Sequence, residues 1–105
     1  MMKRKAFKMT VYPDKIEEYI KRHNPIWDEL RLLLKEHGVY NYSIFLDREQ
    51  CELFGYAEIE SEEKWEAVGQ AGICKKWWSY MADLMETNED DSPVSREIEE
   101  VFHMD

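Results

Sequence analysis

Two runs rich in aromatic and β-branched residues, Val39 to Leu46 and Leu53 to Ile59, stand on either side of the short segment Asp47 to Cys51. That composition favours strands. The connection is a turn, and if it is a hairpin the two strands are antiparallel. A lone hairpin is marginal in water, so the flanking segments must cover it. Residues 5 to 11 supply a further strand: Lys5, Phe7, Met9 and Val11 alternate with Ala6, Lys8 and Thr10, the period of a strand with one buried face. Gly55, in the middle of its strand, marks a bulge or a close approach by another group.

Between the first strand and the hairpin the period changes. Tyr12-Pro13-Asp14 is a turn and helix-start signal, and Glu17 and Glu18 suit the positive end of a helix dipole. Ile16, Tyr19 and Ile20 share a helical face, which Trp27, Leu30, Leu33 and Leu34 resume after Asn24-Pro25. Proline lacks the amide hydrogen and clashes with the preceding turn, and the residue before it is pushed out of the helical region. The helix is therefore expected to break beside His23. Gly38 is a good helix stop. Beyond the hairpin, Ser61 caps a helix carrying Trp65 and Val68 that ends near Gly69 to Gly72. Another runs from about Ile73 to Met85, with Ile73, Trp77, Met81 and Leu84 on one stripe. Thr87 to Pro93 is a polar loop. The tail from Ile98 to Met104 is short and mixed and suits strand or helix; it is read as a last strand.

The order strand, helix, strand, strand, helix, strand is the ferredoxin-like βαββαβ arrangement of an α+β protein. Residues 1–105 suffice for one domain. Helices cover one sheet face. The other face is left bare in a monomer, and packing two such sheets together gives a dimeric α+β barrel, so a homodimer is expected.

Composition narrows the partners. The 14 Lys and Arg against 23 Asp and Glu leave a net charge of -9, which argues against nucleic acid or an anionic membrane and favours a neutral ligand. No window approaches the ~20 apolar residues of a membrane span. The basic opening Met1-Met2-Lys3-Arg4-Lys5 leads into an alternating strand, so a cytoplasmic protein with Cys51 and Cys74 reduced is expected. Neither cysteine sits in a metal-binding spacing, no HExxH-like cluster supports a catalytic metal, and no nucleotide motif is present.

Tyr19, His23 and Trp27 lie four residues apart, the spacing of one helical face. Such a face carries a phenol, an imidazole and an indole together. A histidine beside a helix break can exchange protons near neutral pH; it can equally be a surface or capping residue. Tyr19 is a partner for it or a core-edge aromatic. His37 and His103 are taken as structural. Trp77 and Trp78 are ~100° apart around a helix, so one ring suits the core and the other a pocket wall on which a sugar could stack. Tyr40 and Tyr42, two apart in a strand, are expected on one face, with Asn41 and Ser43 on the other.

Several of these pieces recur together. Arg4-Lys5-Ala6-Phe7, Arg22-His23-Asn24-Pro25-Ile26-Trp27, Asn41-Tyr42, Cys74 with Trp77-Trp78, and Ser92-Pro93-Val94-Ser95 resemble the L-rhamnose mutarotase family nearly end to end. The resemblance implies a cofactor-independent homodimeric epimerase that interconverts the α and β anomers of L-rhamnopyranose, with no metal. It implies His23 as proton donor and Tyr19, Tyr42, Trp77 and Trp78 as sugar-binding residues. Two other readings fit the scaffold: a small oxygenase or haem-degrading protein with His23 as iron ligand, and a dimer that holds a sugar without catalysis.

Overall fold

The computed structural model describes residues 2–105. Strand β1 (Lys3–Thr10) is followed by helices α1 (Ile16–Arg22) and α2 (Asp28–Glu36), then β2 (Val39–Asp47) and β3 (Glu52–Ile59). Helices α3 (Glu62–Val68) and α4 (Gly72–Met81) and the short strand β4 (Arg96–Ile98) complete the chain. The sheet order is β2-β3-β1-β4, and every neighbouring pair is antiparallel. This is the ferredoxin-like topology, with each helical element split in two.

The alternation along β1 sorts side chains as its pattern requires. Phe7, Met9 and Val11 are buried under the helices with Leu53, Tyr19, Leu30, Trp77 and Met81. Ala57 and Ile59 extend this face toward Val68 and Cys74. The opposite sheet face carries no helix: Phe45 is 64% exposed, and Tyr40 shares that side.

Local signals place the helix ends. Ser61 accepts a hydrogen bond from the Lys64 amide and opens α3. Gly38 follows α2 at φ 71°, a conformation that costs glycine nothing. Pro25 separates α1 from α2, as the break beside His23 required.

Four expectations need correction. The last helix does not reach Met85 but stops at Met81. There the backbone finds other partners: the Tyr12 amide donates to the Leu84 carbonyl at 2.9 Å, and the Glu86 amide to the Thr10 carbonyl at 3.1 Å. The final strand is three residues long and lies before most of the expected tail, because after Ile98 the chain leaves β1 and Glu100 turns to pair with Arg4. Trp27 is not on the face of α1. It stands at the start of α2, since the chain between Arg22 and Asp28 is not helical.

The fourth concerns Tyr40 and Tyr42, which do not share a face. Tyr40 pairs with Glu58 but Ser43 with Tyr56, so Asn41 and Tyr42 together oppose the single residue Ala57. This is a β-bulge, and the extra residue reverses the parity of everything after it. Gly55 is not its site. Gly55 lies directly across from Phe7, and a Cβ there would collide with the Phe7 ring. Of the two meanings of that glycine, close approach is the one realised.

Gly55→Ala is therefore expected to destabilise the protein by about 1–3 kcal/mol through overpacking against Phe7. Urea unfolding compared with the parent checks this; an unchanged midpoint would show that the ring moves aside freely.

Candidate active site

The helices do not close completely onto the sheet. They leave a cavity of about 1220 Å³ whose lining includes Tyr19, His23, Tyr42, Trp77 and Trp78. Five residues from α1, β2 and α4, and the turn after α1, thus surround one space.

His23 stands at the end of α1. Its backbone amide donates to the Ile20 carbonyl at 3.2 Å, three residues back, which tightens the last turn. The Tyr19 carbonyl lies 2.9 Å from His23 Nδ1. A carbonyl only accepts, so Nδ1 carries the hydrogen, and the neutral ring keeps its lone pair on Nε2. The ring stacks on Tyr19 (4.4 Å between centroids, 28°) and meets Trp77 edge-on (5.2 Å, 88°). Burial among these rings disfavours the imidazolium and lowers the His23 pKa, partly offset by the hydrogen bond to Tyr19.

Two tyrosines bring hydroxyls to the same cavity. Tyr19 is buried, and burial, with the Tyr42 phenol adding to it, pushes its pKa up. Tyr42 is 38% exposed and lines the cavity; the protein around it likewise pushes its phenol up. Both hydroxyls therefore stay protonated and able to donate. Tyr42 meets Phe7 edge-on at 6.2 Å and Trp65 at 5.9 Å.

Of the tandem tryptophans, Trp77 is buried at 8% exposure and Trp78 half-buried. Trp77 is braced from behind by Trp27 at 5.1 Å and Tyr80 at 5.7 Å. Trp27 thus reaches the cluster through Trp77 rather than along a shared helix face. Trp78 packs over Gly69. Cys74 faces the same cavity, its thiol pushed up to about 11 by burial.

Lys5 and Trp65 also line the cavity, and sequence reasoning did not assign them to it. Lys5 Nζ sits 3.0 Å from both Glu62 and Glu97 and 5.9 Å from the Trp65 ring centre. The signal was available: a lysine on the inward register of β1, beside Phe7 and Met9, has to find partners. Asp91, Ser92 and Ser95 add polar groups to the lining. Among the described residues no group of three or more His, Cys, Asp or Glu is placed to hold a metal ion.

A family model described as L-rhamnose mutarotase matches residues 4–104. The chain belongs to the L-rhamnose mutarotase family. An L-rhamnose mutarotase of Oceanobacillus iheyensis is 61% identical over 99% of this chain and 100% of its own length. One from Pectobacterium carotovorum is 55% identical over the same shares. The crystal structure of an L-rhamnose mutarotase from Formosa agariphila superposes with a TM-score of 0.90, at 43% identity over 98% of this chain and 99% of that one. A putative antibiotic biosynthesis monooxygenase from Nitrosomonas europaea superposes at 0.65 with 14% identity, over 92% and 86%; that likeness is one of fold alone.

The lowered His23 pKa has a definite sign. The unfolded imidazole titrates near ~6.5, so as pH falls below that value the unfolded chain binds the extra proton first, and stability drops until the folded imidazole is protonated as well. An NMR titration of His23 is expected to give a pKa below 6.5, with stability declining in acid from about pH 6.5 downward. A pKa above that value would reverse the assignment of burial as the dominant cause.

Proposed function

We propose that this chain is an L-rhamnose mutarotase, an isomerase that interconverts the α and β anomers of L-rhamnopyranose without a cofactor. The observation that carries the reading is the His23 imidazole, its Nδ1 tied to the Tyr19 carbonyl and its ring at the wall of an aromatic cavity. Family membership supplies the substrate.

Mutarotation opens a cyclic hemiacetal, turns the aldehyde about the C1–C2 bond, and closes it on the other face. On opening, the anomeric hydroxyl loses a proton and the ring oxygen gains one. On closure the directions reverse, so the reaction conserves protons. A neutral imidazole can take the first proton at Nε2 and, as imidazolium, return one. Tyr19, kept protonated by burial, or a water serves the opposite oxygen. Tyr42, Trp77 and Trp78 provide a hydroxyl and apolar surfaces for an uncharged sugar, whose C–H faces need no ionic partner. The scaffold's oxygenase reading is not favoured, because its support is a fold shared at 14% identity.

The working form is a homodimer in the cytoplasm, each copy a single domain of residues 1–105. The helix-free sheet face supports this: Phe45 (64% exposed) and Tyr40 (42%) stand there, and Val101 and Phe102 of the tail are 87% and 78% exposed. That much uncovered aromatic and aliphatic surface is costly to leave in water, and a second sheet would cover it.

His23→Ala is expected to slow α/β exchange, followed by saturation-transfer NMR, by roughly 10²–10⁴-fold, the usual contribution of one acid–base group. In the parent the exchange rate should fall in acid as His23 protonates. Wild-type exchange in the alanine variant would remove His23 from the mechanism; tight rhamnose binding without exchange in the parent would leave only a binding protein. Phe45→Glu is expected to convert the dimer to a monomer in sedimentation experiments, and an unaltered dimer would place the interface elsewhere.

A further inference from the structure

The bulge in β2 decides which strand residue faces the sugar. Were β2 regular after Tyr40, Asn41 would oppose Ala57 on the inner face. Tyr42 would oppose Tyr56 on the outer one. The structure has the reverse: Tyr42 lines the cavity, and the Asn41 side chain reaches the outer face, where its Nδ2 donates to Glu58 Oε1 at 2.9 Å. The other oxygen of Glu58 accepts from the Tyr56 hydroxyl at 3.0 Å. Asn41 has φ 50°, a left-handed conformation that asparagine tolerates better than most residues and that β-branched residues strongly resist.

We propose that Asn41, held by Glu58 on the far side of the sheet, is a positioning residue that sets Tyr42 into the sugar site. It is absent from the cavity lining. Its work is conformational: it accepts the positive φ, and its amide is anchored where the bulge must open. Glu58 is the anchor, and hydrogen bonds from Asn41 and Tyr56 hold its carboxyl below the ordinary range. The inference rests on the reading of Tyr42 as a sugar-binding residue.

The test compares Asn41→Val, Asn41→Gly, Tyr42→Ala and the Asn41→Val/Tyr42→Ala pair, using anomer exchange of L-rhamnose by NMR to separate KM from kcat. Asn41→Val is expected to raise KM roughly tenfold, the scale of a left-handed penalty. Asn41→Gly, which takes a positive φ freely, should raise it several-fold less. In the Tyr42→Ala background the valine change should add nothing. A valine variant with unchanged KM, a glycine variant equally impaired, or a valine penalty that persists without Tyr42 overturns the proposal.

If Tyr42→Ala binds the sugar as the parent does, Tyr42 is not part of the site. The positioning claim is then read from proton contacts of the Tyr42 ring with Phe7 and Trp65. Their loss in Asn41→Val but not Asn41→Gly upholds it, and their survival in the valine variant overturns it. Should the valine variant not fold, Glu58→Ala removes the anchor alone: a several-fold rise in KM upholds the proposal, and no change overturns it.

Discussion

The hydrogen bond from His23 Nδ1 to the Tyr19 carbonyl governs the rest of the site. The last turn of a helix has carbonyls with no intrahelical partner. At the end of α1 the His23 amide turns to Ile20, and the Asn24 side-chain amide also donates to Ile20, at 2.8 Å. Pro25 has no N–H to offer. The Tyr19 carbonyl is left for the imidazole, which completes the helix cap and at the same moment has its tautomer chosen. His37 makes the same bond to the Leu33 carbonyl at the end of α2, also at 2.9 Å, yet is not part of the cavity lining. The cap is thus a common structural device. What separates the two histidines is that His23 lines the cavity and His37 does not.

That space exists because the sheet supplies part of its wall. Gly55 has no side chain, so the Phe7 ring lies over it. Phe7 in turn braces Tyr42 and, at 5.8 Å, Trp65. On the helical side Trp27 and Tyr80 brace Trp77. On the sheet side the cavity's rings hold one another, and on the helical side Trp77 is held by two rings outside the lining. A polar group inside must be satisfied or exposed to ligand, and Lys5 is satisfied by Glu62 and Glu97, from α3 and β4. The same ion pairs tie the short last strand to the end of β1 and to α3.

Much of this was legible in the chain before any coordinates. Period-two alternation from Lys5 to Val11 identified a strand and its buried face, because a one-sided sheet leaves no other way to sort those residues. Pro25 located the break beside His23, and Ser61 and Gly38 marked helix ends by local chemistry alone. Three of the four failures share one cause: each depended on a partner distant in sequence. The end of α4 is set by backbone pairing with Thr10 and Tyr12. The extent of β4 is set by where β1 remains open to it. The bulge at Asn41 reverses the strand's parity and depends on Glu58, 17 residues away, so regular alternation put both tyrosines on one face. Trp27 reached the aromatic cluster by a route that helical spacing did not describe.

The electrostatics of His23 suit a reaction that runs both ways. A strong general acid would want a raised pKa and a strong general base a reserve of neutral ring; mutarotation asks one group for both in a single turnover. Burial among Tyr19 and Trp77 lowers the imidazole's pKa, and the Tyr19 carbonyl, by accepting from Nδ1, favours the cation and raises it. The two causes oppose each other, and burial wins only in part. An uncharged substrate fits this balance. An anionic ligand would stabilise the imidazolium and upset it, and the chain's net charge of -9 disfavours such ligands at longer range. A neutral sugar leaves the proton affinity of the imidazole to the protein alone, so in the role proposed for it His23 can take a proton on ring opening and return it on closure, while the balance between the anomers stays that of free solution.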